Sequence, residues 1–222
     1  MELAERCNPP PIIVSFRRVN EPRPPWYSNW RNPWAVVRFL GTAAVGFAAD
    51  LLVKHAADAS LRQPDEFGRM PQLNVIPGWL QLEWTGNHGA ALGFFQGHRW
   101  FFVIVAVAAV IFLSQLFTVS TRRQRGYQIV LGMLLAGALG NLYDRATLGY
   151  VRDMIHIFPG RRFPPGIAEH LPWFWSTPEW FPWIFNVADS LLCVGVALML
   201  LHMLIDGRQK PAVTKSSKAE TK

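Results

Sequence analysis

The sequence predicts an all-α membrane protein in which four transmembrane helices carry a small extracytoplasmic β-rich platform and loop. Three observations predict it. Half of the 222 residues are hydrophobic, and they fall in blocks too long and too apolar for an ordinary soluble fold. Residues 100–119 give 20 positions without a charge and residues 127–143 give 17, each long enough, or nearly so, to cross a hydrocarbon core as a helix. Four aspartates, Asp50, Asp144, Asp153 and Asp189, lie inside or at the ends of apolar stretches, where a carboxylate is costly enough to mark a functional position.

Residues 1–33 contain no apolar core of the kind a cleavable signal needs, and they carry Pro9-Pro10-Pro11 and Pro22-Arg23-Pro24-Pro25. They read as a disordered cytoplasmic leader, as the Lys- and Ser-rich residues 207–222 read as a disordered cytoplasmic tail. The membrane domain is expected over 34–206. Its first span, 34–53, places Asp50 and Lys54 one helical turn apart on one face, as a structural ion pair or as part of a catalytic set.

The first outer segment alternates from Asn74 to Trp84 in the manner of short strands and leads into Thr85-Gly-Asn87-His-Gly89-Ala-Ala. Small residues beside Asn87 suggest tightly folded backbone, with an amide able to hydrogen-bond a substrate main chain. In the third span Gly132, Ala136 and Gly140 recur every four residues, a stripe that lets a neighbouring helix approach. Residues 154–183 are rich in Pro and Trp, and Trp173, Trp175, Trp180 and Trp183 resemble an interfacial belt, with core packing or anchoring as the expected use of those rings. The fourth span is expected over 183–205, with Asp189 two turns in. Cys7 and Cys193 are placed too far apart to pair.

Four spans put both termini on one side. Fourteen Lys and Arg fall on that side and eight on the other, so the termini are expected in the cytoplasm. The net charge of +7 follows from this bias and fits anionic phospholipid headgroups; no nucleic-acid-binding motif is present.

Paired carboxyl groups hydrolyse peptides when one is ionised, to take a proton from water, and the other is protonated, to polarise the carbonyl. Asp153 follows the third span and Asp189 opens the fourth, so both are expected near the outer surface. No HExxH is present for zinc, and Ser190 lacks a GxSxG setting, so no metal and no cofactor is expected. A second reading is a proton-coupled transporter or channel component using Asp50, Asp144 and Asp189 as a relay, but the spans show no internal repeat.

Asp50 and Lys54, then Asn87-His-Gly89-Ala-Ala, Gly140-Asn141-Leu-Tyr-Asp144-Arg145, Gly149-Tyr-Val-Arg-Asp153 and Phe185-Asn186-Val-Ala188-Asp189-Ser190 occur in one order. That ordered set resembles the bacterial lipoprotein signal peptidases, the signal peptidase II family of aspartic peptidases, over roughly residues 35–205. The resemblance implies catalytic Asp153 and Asp189, with Asp50, Lys54, Asn87, Gly89, Asn141, Asp144, Arg145, Asn186 and Ala188 binding substrate or supporting the site. Asp144 is expected to hold Arg145. The resemblance further implies a multi-pass protein of the bacterial inner membrane, with a diacylglyceryl-modified prolipoprotein as substrate, cut immediately before the lipidated cysteine. Departures are Arg152 at a position usually apolar, a 36-residue separation of the two acids, and the proline-rich leader.

Overall fold

A computed structural model describes residues 29–89, 98–120, 124–172, 175 and 177–208. Most of the expected leader and tail, and Trp173, lie outside the described residues. The part of the leader that is described is ordered: Asn29–Arg31 form a 3-10 turn, and the Asn29 amide donates to the carbonyls of Phe117 and Ser120 at 3.1 and 2.6 Å. Those carbonyls lie at the end of a helix, where the Phe117 carbonyl also accepts from the Ser120 N–H at 3.2 Å and its hydroxyl at 2.8 Å, so the amide adds to the cap.

Among the described residues four helices are long and apolar enough to cross a membrane: α1 (Pro33–Leu61), α2 (Arg99–Val119), α3 (Arg125–Thr147) and α4 (Val187–Arg208). One turn of α1, Val37–Gly41, is wound as a π-helix. The first helix runs two turns past its expected end because Lys54 lies wholly inside the bundle, where its charge is neutralised and breaks nothing. The fourth begins four residues later than expected, since Ile184 and Phe185 are drawn into a sheet.

Helix α3 is the central post, packed against each of the other three. Its small residues explain how. A Cβ on Gly132 would strike the Phe39 carbonyl, and Gly46 of α1 lies against Ala136. These contacts and Gly140, beside Asp50, place the predicted stripe against α1. A second row went unread: Gly137 abuts the Ala188 carbonyl, and Gly195 of α4 receives Leu134. Close backbone approach on two faces lets α3 hold α1 and α4 at once. At the end where α1 begins and α2 stops, Phe39 stacks on Phe117 with centroids 4.3 Å apart, within a core that includes Leu113, Leu131 and Leu135.

The opposite end carries one antiparallel sheet, β1 (Gln72–Ile76), β2 (Leu80–Asn87), β3 (Val151–Ile157) and β4 (Ile184–Phe185), in that spatial order. The β1–β2 hairpin is the alternating stretch read from the sequence. Strand β3 was not read; it lies where the chain leaves α3 and reverses at Gly149, whose φ of 89° is readily available only without a side chain. Met154 of β3, together with Leu82 and Trp84 of β2, packs on Ala57 and Leu61 and fixes the sheet to the last turns of α1. Of the expected belt, Trp175 and Trp183 pack edge to face at 4.5 Å, while Arg161 lies between Trp79 and Trp180.

Candidate active site

Side chains alternate along a strand, so Val151, Asp153 and Ile157 face one way while Arg152, Met154 and His156 face the other. The first set lines a cavity of about 560 Å³, whose other walls include Asn87, Arg145, Phe181, Trp183, Asp189 and Leu192. Asp153 comes from the sheet and Asp189 from the first turn of α4. Asn186, just before that helix, ties them together. Its amide nitrogen lies 2.6 Å from Asp153 Oδ1, its carbonyl oxygen accepts from the Asp189 backbone N–H at 3.0 Å, and its own backbone N–H donates to Asp189 Oδ2 at 3.2 Å.

The remaining oxygens are also engaged. Asn87 donates to Asp153 Oδ2 at 2.9 Å and Asn141 to Asp189 Oδ1 at 2.7 Å. The Asn87 amide thus gives one of its two N–H groups to Asp153, and its oxygen accepts from the Gly89 N–H at 3.0 Å. Asp153 is 2 % exposed. Burial, and then the charge of Asp189, push its carboxyl up to about 7, against the pull of the Asn87 and Asn186 amides and of Lys54. Asp153 therefore takes up a proton as the pH falls through about 7.

Beneath the pair lies a buried charged layer. Lys54 Nζ is 2.8 Å from Asp50 and 3.3 Å from Asp144, and donates to Asn141 Oδ1 at 3.3 Å. Asn141 therefore stands between the lysine and Asp189. The other oxygen of Asp50 accepts from the Ala188 N–H at 2.9 Å, one residue before Asp189. Asp144 does not hold Arg145. It binds Arg152, with Nη2 at 2.6 Å and the backbone N–H at 3.0 Å, because the Gly149 reversal returns the chain to the end of α3. Arg152, the departure from the apolar norm, thereby answers a buried acid. Arg145 instead donates to the Gly89 carbonyl at 3.2 Å, covers the Phe102 ring and lines the cavity.

Every site residue expected from the sequence falls in this cluster or directly under it. Unread were the apolar walls, Phe181 and Trp183 above all, which carry no spacing signal. Ser190 and Cys193 also line the cavity, and for Cys193, four residues on from Asp189, helical spacing was a usable clue. Among the described residues no group of three or more His, Cys, Asp or Glu is placed to share a cation.

Two carboxyl groups facing one cavity, joined by an amide and carried on four apolar helices, are the parts of a membrane aspartic peptidase. A family model described as signal peptidase (SPase) II matches residues 42–205, and the chain belongs to that family. It is 37% identical over 136 residues to the lipoprotein signal peptidase of Bacillus velezensis, covering 61% of this chain and 77% of that one. With the Bacillus subtilis lipoprotein signal peptidase it shares 37% over 124 residues, 56% of this chain and 69% of the relative. The match to the Anaeromyxobacter enzyme of the same name, 36% identical over 132 residues, spans 57% of this chain and 54% of that one. A solved bacterial membrane enzyme superposes with a TM-score of 0.59 at 28% identity, over 82% of this chain and 92% of its own. Together with the four apolar helices, membership makes this a multi-pass protein of the bacterial inner membrane. The transporter reading finds no support among these relatives.

Proposed function

We propose that the protein removes the signal peptide from diacylglyceryl-modified prolipoproteins, cutting immediately before the lipidated cysteine, with Asp153 and Asp189 as the catalytic pair. The observation that carries this reading is the Asn186 bridge, which holds both carboxyls at one cavity while each keeps its own environment. Asp189, half-buried, takes a proton from the attacking water; Asp153, buried and protonated, gives its proton to the carbonyl oxygen. In the tetrahedral diol that results, Asp189 returns a proton to the leaving nitrogen. The C–N bond breaks and Asp153 recovers a proton from a diol hydroxyl. Asn87, Asn141 and Asn186 hold the acids; Asp50, Lys54 and Asp144 hold Asn141 and the start of α4.

The lipid serves position. An apolar cavity wall of Ile157, Phe181, Trp183 and Leu192 beside the acids suits acyl or signal-peptide side chains, so an anchored substrate meets the pair as if intramolecularly. Purified protein given lipidated and unlipidated forms of one prolipoprotein should cleave the unlipidated form about a hundredfold more slowly or worse. Equal rates on a gel-shift assay would remove the tether and leave the acids in place.

The position of the proton sets the pH response. Asp153 must be protonated to act as the acid, and its carboxyl ionises at about 7, so kcat should fall on the alkaline side of that value. A kcat still climbing well above pH 7 in a profile taken with saturating substrate contradicts the assignment of Asp153 as acid.

The excess of Lys and Arg in the sequence segments on the side of the termini, fourteen against eight, supports cytoplasmic termini, with the sheet and acids at the outer leaflet among its phospholipids. Impermeant thiol labelling of intact cells should reach Arg69→Cys and miss Lys215→Cys; the opposite pattern inverts the protein.

A further inference from the structure

His156 lies three residues beyond Asp153, on the opposite face of β3, and takes no part in the chemistry derived above. It is buried, opposite Gln81 on β2 and Ile184 on β4. Its Nδ1 is 2.6 Å from Glu83 Oε1, and its Nε2 is 3.3 Å from the Phe181 carbonyl oxygen and 3.8 Å from Glu179 Oε2. A carboxylate and a backbone carbonyl only accept, so both ring nitrogens are called on to donate, which only the imidazolium can do. Behind it, the second oxygen of Glu83 accepts from Gln72 at 3.1 Å and Gln81 at 3.4 Å, fixing the carboxylate.

The far side of this clasp is the part of the long segment between the two acids that forms a cavity wall. Phe181 and Trp183 line the same cavity as Asp153 and Asp189, and they pack on each other at 5.1 Å. From Ile157 to Ile184 the described chain has one helical turn, Pro165–Ala168, and an isolated bridge between Arg162 and Glu179, so side chains must locate it. We propose that His156, as an imidazolium held by Glu83 and set against the Phe181 carbonyl and Glu179, is a positioning residue that keeps the Phe181–Trp183 wall in register with the acids. The charged groups facing it are Glu83 from β2 and Glu179 from the segment; removal of the ring's donors leaves the Phe181 carbonyl unheld and loosens the wall. Substrate binding then weakens while the carboxyl chemistry is untouched. This rests on the cavity being the seat of the substrate.

The test uses the full-length purified protein and a lipidated prolipoprotein. His156→Phe should raise KM about tenfold, the order expected for a lost charge-assisted hydrogen bond, with kcat changed less than about threefold. Amide hydrogen exchange should quicken in residues 177–185 and not in β1. His156→Lys, which stays cationic, should recover part of the KM. Unchanged KM together with unchanged exchange in 177–185 overturns the proposal. Should His156→Phe fail to fold, Glu83→Gln, which removes the counter-charge, carries the same readouts. A wild type that cleaves no prolipoprotein sinks the functional reading alone; the exchange measurement still decides whether the clasp exists.

Discussion

Asp153→Asn and Asp189→Asn should each lower kcat by about a thousandfold or more, because an amide neither takes a proton from water nor gives one to the carbonyl. Packing barely changes. The cost to folding is small but not zero at Asp153: Asn87 and Asn186 both donate to its oxygens, and an amide offers only one acceptor, so one donor is left facing another. Against that, the substitution removes a buried acid that Asp189 repels. Both variants should therefore insert in the membrane and unfold within several degrees of wild type, while a gel-shift assay at saturating lipidated substrate shows no product on the wild-type time scale. Turnover within tenfold of wild type in either variant ends the assignment of that acid.

Asp144→Asn should fail differently, by unfolding. Its carboxylate is fully buried and meets two cations, Lys54 at 3.3 Å and Arg152 at 2.6 Å. Breaking a buried pair by removing one partner costs about 3–5 kcal/mol, since the charge left behind is uncompensated. Two such charges would remain, with Asp50 and Asp58 as their counterweights. The melting temperature in detergent should drop by roughly 10 °C for a domain of this size. Arg152→Met added to Asp144→Asn should recover part of the loss, a coupling that a double-mutant cycle measures. An Asp144→Asn protein of wild-type stability but no activity would move Asp144 into the chemistry itself.

The spans and the acids were legible because a carboxylate in an apolar run stands out against its neighbours. Asn141, Asn186 and Ala188 were legible only as members of an ordered set of motifs; nothing in an isolated Asn says that it will bridge two aspartates. The partner of Asp144 was misassigned to Arg145 because sequence neighbours on a helix diverge by about 100°, whereas Arg152, eight residues on, comes back through the Gly149 reversal. The Glu83–His156 contact depends on the register of β2 on β3, which includes an irregularity between Leu82 and Thr85. No periodicity in either strand encodes that offset. The aromatic segment resembles a belt because Trp is common at interfaces, and its expected use in packing or anchoring has a counterpart in Trp175 and Trp183, which pack on each other; that Trp183 also lines the cavity has no signal in the sequence.

The bond from the Ala188 N–H to Asp50 joins residues 138 positions apart, and it is the first helical turn of the last span that receives it. The orientation of Asp189 is thus fixed by a residue that leaves the ribosome long before it. During synthesis the first and third helices can associate through their small-residue faces, but the site stays unfinished until the fourth helix arrives and docks its amino end on Asp50. A partly inserted chain is therefore harmless to the proteins around it. Activity appears with the last span, and co-expressed halves split in the loop before α3 should regain it only when both are present.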